Sequence, residues 1–175
     1  RAGISSAGYL AWAGAKDDEI LAQAKEAVDL AERLHENYAV AVACGFLHNY
    51  AASPDNDREQ LELADRGIAA SRASHSPRIE LDLIAQRGAD LLSLGMTQEF
   101  RQNAANFQSV LERLRYQPLE YMSSAMQVTL DIVQGRLASA EQHLNAYVAK
   151  GGNNITVLVM FAAQQHGLRE AQGRL

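Results

Sequence analysis

The sequence predicts an all-α protein, a helical-repeat array of about eight or nine helices over residues 1–175. Three observations carry this. Apolar residues recur at spacings of three and four through most of the chain, which places them on one face of successive helices. Glycines stand where those periodic segments stop, at Gly14, Gly95, Gly135 and Gly173. The last four letters, QGRL, copy Gln134-Gly135-Arg136-Leu137 at an offset of about 38 residues, and at that offset Met122 falls on Met160, Ala125 on Ala163 and Leu130 on Leu168. A period near 40 residues with two helices in each unit is the signature of a helical solenoid.

The first clear element covers 17–35. Leu21, Ala24, Val28, Ala31 and Leu34 share a face, and Asp17, Asp18 and Glu19 put negative charge at the start, where the helix dipole favours it. Asn37 to Ala52 reads as a second helix, apolar enough through Ala39–Leu47 to be buried. The stretch SPDND ends it, with Asp55 or Asp57 available to cap the next. That helix runs from Arg58 to Ala73, with Leu61, Ala64, Ile68 and Ala69 inward.

Ser76-Pro77 pairs a capping hydroxyl with proline in the first turn, so a helix is expected from Pro77 to Leu94, carrying Ile79, Leu83, Ile84, Leu91 and Leu92. Gly95 stops it and Thr97 caps the next, Thr97 to Arg115, with Phe100, Ala104, Phe107, Leu111 and Leu114 along one stripe. Leu119–Gln134, Leu137–Ala149 and Asn154–Gln172 complete the series. GGNN at 151–154 offers a C-cap glycine pair followed by N-cap residues. Pro54, Pro77 and Pro118 fall at boundaries between helices. The β-branched run ITVLVMF suits a buried strand on propensity alone. Its continuation AAQQHGLREAQ is helical, and an isolated strand would leave its backbone groups unpaired, so helix is the reading.

Composition narrows the class further. Aromatics are 6% of residues against 47% hydrophobic overall, and alanine carries much of the apolar count. Small apolar residues suit helices in close approach better than a sheet core. The net charge is −5 with both signs interspersed, so no basic stripe for nucleic acid is present. A single cysteine, Cys44, excludes an internal disulfide and fits a reducing, cytoplasmic setting. No stretch reaches the length of a membrane span. The chain opens on Arg1 and closes within a repeat, and reads as a piece of a longer one.

Few residues carry chemistry on their own. Cys44 and His48 stand four apart on one helix, the spacing of an activated thiol, yet the surrounding AVAVACGFLHNY reads as packing. His35, His48, His75, His143 and His166 fit no metal-ligand spacing, and His35 lies near a helix C-terminus. The acidic start Asp17-Asp18-Glu19 reads as capping rather than a cation site. Asp82 and Asp90 read as a solvated edge. Neither a GxxxxGK[ST] nor a GxGxxG loop occurs, and no cofactor is expected.

Gly135-Arg-Leu-Ala-Ser-Ala140-Glu-Gln-His-Leu144 is similar to the turn and second helix of a tetratricopeptide repeat (TPR), in which a glycine closes the first helix and a small alanine sits at the helix contact. The Trp/Leu-Gly/Tyr pattern of TPR first helices and the proline after second helices are missing from most units. Tyr50-Ala-Ala-Ser-Pro54-Asp55-Asn56 with Arg58-Glu-Gln-Leu-Glu-Leu-Ala64, and Phe161 through Leu175, resemble the helical-repeat region of bacterial multidomain ATPase regulators. Those regulators carry an ATPase module with an adenylate-cyclase-like domain or a LuxR-type DNA-binding domain. The resemblance implies a right-handed TPR-like solenoid of antiparallel helix pairs, attached to such domains and without catalytic residues of its own.

In a TPR-like array the first helix of each pair lines the concave surface. By register from the turn glycines, that surface draws on Asp82, Ala85 and Ala89, then Met122, Ala125 and Thr129, then Met160, Ala163 and Gly167. Methionines beside small residues make an adaptable apolar trough for a peptide, a protein or a small effector, or they fill core gaps. Tyr9 and Trp12 are an aromatic anchor or a packing face for a further helix. The apolar run Ile155–Ala163 suggests a face made for another element, in cis or by pairing of two copies. The expected function is a non-enzymatic regulatory and protein-interaction module. A stand-alone adaptor uses the same groove, and a small all-α enzyme requires a convergent polar constellation that the sequence does not display.

Overall fold

The computed structural model describes residues 17–51, 55–115, 119–151 and 155–174. Among them the protein is all-helical: α1 (Asp17–Arg33), α2 (Asn37–Ala51), α3 (Asp57–Ala73), α4 (Pro77–Ser93), α5 (Thr97–Leu114), α6 (Glu120–Val133), α7 (Leu137–Gly151) and α8 (Ile155–Ala171). The boundaries match the periodic segments to within about two residues, the ordinary spread of helix ends. The β-branched run 155–161 is helical, inside α8. The expected turn at Gly14, the aromatics Tyr9 and Trp12, Pro54, Pro118 and most of GGNN lie outside the described residues.

The helices end in one recurring way. Gly95, Gly135 and Gly173 have φ near +70°, and His35, His75 and Arg115 occupy the same left-handed region at φ 51–53°. At Gly95 the amide donates to Leu92 O (2.9 Å) and the next amide, of Met96, to Leu91 O (2.8 Å). The same pair of bonds closes α1 at His35, α3 at His75, α6 at Gly135 and α8 at Gly173. These are Schellman turns, which satisfy the last carbonyls and turn the chain back. The QGRL copies form matching turns, and in both the arginine, Arg136 or Arg174, donates to the glutamine two residues earlier. His35, His75 and Arg115 are 40 residues apart in sequence, and Gly95 and Gly135 share that interval.

Start signals were less accurate than stop signals. Ser76 is the N-cap of α4, but its hydroxyl makes no capping bond and donates instead to Ser74 O (3.3 Å). Neither Asp55 nor Asp57 caps α3; Asn56 does, and its side-chain amide turns back to Ala51 O at 2.8 Å.

The chain divides into two compact units, residues 1–96 and 97–175. In the first, α2 packs against α1, α3 and α4. Its interior is built of small residues: Ala24, Ala27 and Ala31 from α1, Ala39, Ala41, Ala43 and Cys44 from α2, and Ala64 and Ala70 from α3. Larger side chains, Ile20, Leu63, Ile68, Leu81, Leu83, Ile84 and Leu91, fill between them. Two inward assignments fail. Leu34 is 62% exposed, because the helix closes at Arg33 and the turn at His35 carries Leu34 off the buried stripe; Ile20 and Ala27 extend the stripe instead. Ala69 is exposed too, since Gly67 and Ala70 face the neighbours.

In the second unit Phe100, Phe107, Val110 and Leu111 anchor α5. A cluster of Ala125, Val128, Ala140, Leu144, Tyr147, Val157 and Leu168 joins α6, α7 and α8. The Tyr147 hydroxyl donates to Val157 O (3.1 Å), so the largest buried side chain brings its own polar partner.

Gly67 marks the tightest approach in the first unit. A Cβ there would stand 2.8 Å from a Leu83 methyl and 3.0 Å from Cys44 Cβ. Gly67→Ala is therefore expected to lower stability by about 1–3 kcal/mol despite its better helix propensity, as overpacking does, which urea unfolding followed by circular dichroism would measure.

Candidate functional site

The second unit contains a cleft of about 480 Å³ between α5, α6 and α7. Arg101, Ala104, Ala105 and Gln108 line it from α5, Ser123, Ser124, Gln127 and Leu130 from α6, and His143, Ala146 and Tyr147 from α7. The volume falls within the ~300–1,000 Å³ usual for ligand sites, and a mostly apolar wall with a few convergent polar groups is their usual chemistry.

The polar side of this cleft is organised by a carboxylate behind it. Asp131 lies in the last turn of α6 with its side chain 1% exposed. Five donors reach it. Gln127 Nε2 (3.1 Å) and both Nε (3.0 Å) and Nη2 of Arg136 meet Oδ1, while Ser139 Oγ (2.9 Å) and His143 Nδ1 (2.7 Å) meet Oδ2. Burial pushes this carboxyl up, but the bonds from Arg136, His143 and Ser139, with the Arg136 charge, outweigh it and hold the group below the usual carboxylate range. Ser139 and His143 are four apart on α7, which brings both to one carboxylate.

On the other wall, Gln108 Nε2 donates to Glu112 Oε1 (2.7 Å) while Gln108 Oε1 accepts from the Ser123 hydroxyl. Ser124 donates within its own helix to Glu120 O (3.4 Å). A histidine, a buried aspartate and two serines thus share the site, but no hydrogen bond among the described residues joins His143 to either serine. The parts of a nucleophilic triad are present without its connection.

The expected groove residues lie elsewhere. Asp82, Ala85 and Ala89 are on α4 in the first unit. Asp82 and Ala89 are exposed and Ala85 half-buried, with Arg78 3.5 Å from the Asp82 carboxylate. Partial burial raises the Asp82 pKa and Arg78 opposes the rise. In the second unit Ala125 is buried in the core cluster, Met122 and Met160 are half-buried, Thr129 donates to Ala125 O (3.1 Å), and Ala163 is exposed. Gln164 of α8 donates to both Ala125 O (2.7 Å) and Thr129 Oγ1 (3.1 Å), so this face of α6 is turned to α8. The cleft uses the adjacent face, Ser123, Ser124, Gln127 and Leu130.

In the first unit Cys44 is fully buried, and His48 is bound to Asp90 of α4 at 2.9 Å. Asp90, expected on a solvated edge, is thus 5% exposed and paired across helices. Burial first, with Glu32 adding and the Arg66 charge opposing, pushes the Cys44 thiol up to about 11. Among the described residues no three His, Cys, Asp or Glu side chains gather as a metal site, and no helix is long and apolar enough to cross a membrane. On α8, Ile155 (71% exposed), Leu158 and Val159 leave an apolar face bare.

No family model, no curated protein and no solved structure matches this chain. The site is accordingly argued from its own geometry. Sequence reading missed Asp131, Gln127, Ser139 and His143 as a group. One signal was available: a carboxylate at the C-terminal end of an apolar helix stands against the dipole and requires cationic or hydrogen-bonding partners.

Asp131→Asn removes the charge that meets Arg136, and should cost about 1–3 kcal/mol at pH 7. Because the folded pKa is depressed, Asp131 stabilises fully above the unfolded carboxylate range of about 4, and this is lost as pH falls through the lower folded value. Urea titrations of the two proteins should therefore converge near pH 3. For Cys44, a disulfide reagent at pH 8 should leave the folded thiol unmodified and label it promptly in denaturant.

Proposed function

We propose that this chain is a non-enzymatic, ligand-receiving module of TPR-like helix pairs stacked as a right-handed solenoid. The observation that carries the reading is the α5–α7 cleft, whose polar groups are fixed by partners behind the wall and whose remaining surface is apolar. Support for the repeat architecture comes from the left-handed turns, which return at an interval of 40 residues in two interleaved series. A pre-formed cleft held by a satisfied polar network requires little ordering when a peptide or effector enters.

The sequence likeness to bacterial ATPase regulators of the LuxR-type and cyclase-associated kinds supplies the context. There, a ligand with unequal affinity for two states of the repeat region would bias an attached ATPase or DNA-binding domain. The missing link between His143 and Ser123 or Ser124 favours binding over hydrolysis.

Ala105 is exposed on the cleft wall, so Ala105→Trp fills the site with little risk to folding. Peptides selected from a displayed random library against the wild-type chain should share a motif and bind the tryptophan variant at least about tenfold more weakly. Enrichment that is indifferent to Ala105→Trp would place the binding surface elsewhere and sink this assignment.

A further inference from the structure

The hydrogen-bond polarity of the cleft is set from behind it. Asp131 and Glu112 are carboxylates, which only accept, so the amide nitrogens of Gln127 and Gln108 must face them. That leaves the amide oxygen of Gln127 unspent and that of Gln108 accepting from Ser123, whose hydroxyl proton is thereby used. Ser124 spends its proton on a backbone carbonyl. His143 gives its Nδ1 proton to Asp131, which leaves the lone pair of a neutral ring on Nε2. Each of these groups lines the cleft, and each has its donor committed to the protein. The cleft therefore presents acceptors almost exclusively. Its one permanent cation is Arg101, an exposed side chain on α5.

We propose that this cleft takes an amino group carried on an apolar stem, a primary ammonium whose three N–H donors meet His143 Nε2, Gln127 Oε1 and the serine oxygens. The proposal rests on the reading of the cleft as the ligand site. An apolar stem of several carbons lies against Leu130, Ala146 and Tyr147. The carboxylates of Asp131 and Glu112, one hydrogen bond behind the acceptors, polarise them toward a positive ligand. An anionic ligand, which brings only acceptors, finds no free donor except Arg101. The same chemistry is offered by a free alkylamine or by a lysine side chain of a peptide.

The test is NMR titration of the wild-type chain with hexylamine, hexanoate and hexan-1-ol, and with N-acetyl-lysine methylamide as the peptide-borne amine. Hexylamine should shift the resonances of Tyr147 and His143 and bind about tenfold more tightly than hexanoate. The lysine derivative binding at least as well as hexylamine assigns the source to a peptide, and weaker binding assigns it to a free amine. His143→Phe should weaken hexylamine several-fold. Arg101→Gln should strengthen it about two- to threefold, because a like charge is removed, a change of sign that loss of structure would not produce. Hexanoate binding as well as hexylamine, or Arg101→Gln weakening the amine, overturns the amine assignment and leaves the cleft as a ligand site. Failure of all four compounds to move the cleft resonances overturns the site as well.

Discussion

A left-handed residue at the end of a helix forces the chain to reverse after about three residues, and most of this structure follows from where those residues stand. His35, His75, Gly95, Arg115, Gly135 and Gly173 each hold φ between 51° and 72°. Neighbouring turns fall about 20 residues apart. That interval leaves room for a helix of four to five turns, so helix length, the return of the next helix alongside the last, and the stripe each must bury are all set together. Three of the turns use glycine, to which this conformation comes without steric cost. The others impose it on histidine or arginine, whose side chains pay a penalty of about 1–2 kcal/mol that packing must offset.

Between the turns, the interior depends on small residues. Alanine at the contacts of α1, α2 and α3 lets the helices come close, and at Gly67 the approach leaves no room even for a methyl group. Such an interior gains from many van der Waals contacts rather than from large aromatic side chains. It also tolerates polar pairs only where geometry satisfies them. His48 with Asp90 and Arg72 with Glu80 are two such pairs, each tying a helix to another in the first unit. Their worth lies in fixing which faces meet, since buried ion pairs contribute little net stability.

Asp131 does for the second unit what a metal does elsewhere: it gathers ligands from several elements. Gln127 precedes it on α6, Arg136 comes from the turn, and Ser139 and His143 come from α7. Because the carboxylate only accepts, it orients every partner in one sense, and the cleft inherits that orientation. The polar chemistry available to a ligand is thus decided by a residue that the ligand does not touch, as with the outer partners of metal-binding histidines.

Helix existence, order and stops were legible in the residues themselves, because periodicity and glycine placement are local properties. The helical state of 155–161 was legible too, since only helix satisfies that backbone without a neighbouring strand. Starts were less legible: Ser76, Asp55 and Asp57 each carry a capping side chain, but other local bonds compete for it or an adjacent residue takes the position. The face of each helix was readable to about one residue, which was enough for the core and too coarse for the site. On α6 that error separates Met122, Ala125 and Thr129, which face α8, from Ser123, Ser124 and Gln127, which line the cleft. Asp131 and Asp90 looked alike as lone acids on apolar helices. Which partners each acquires depends on helices 40 residues away in sequence or across a turn, and only tertiary packing brings those side chains within hydrogen-bonding distance.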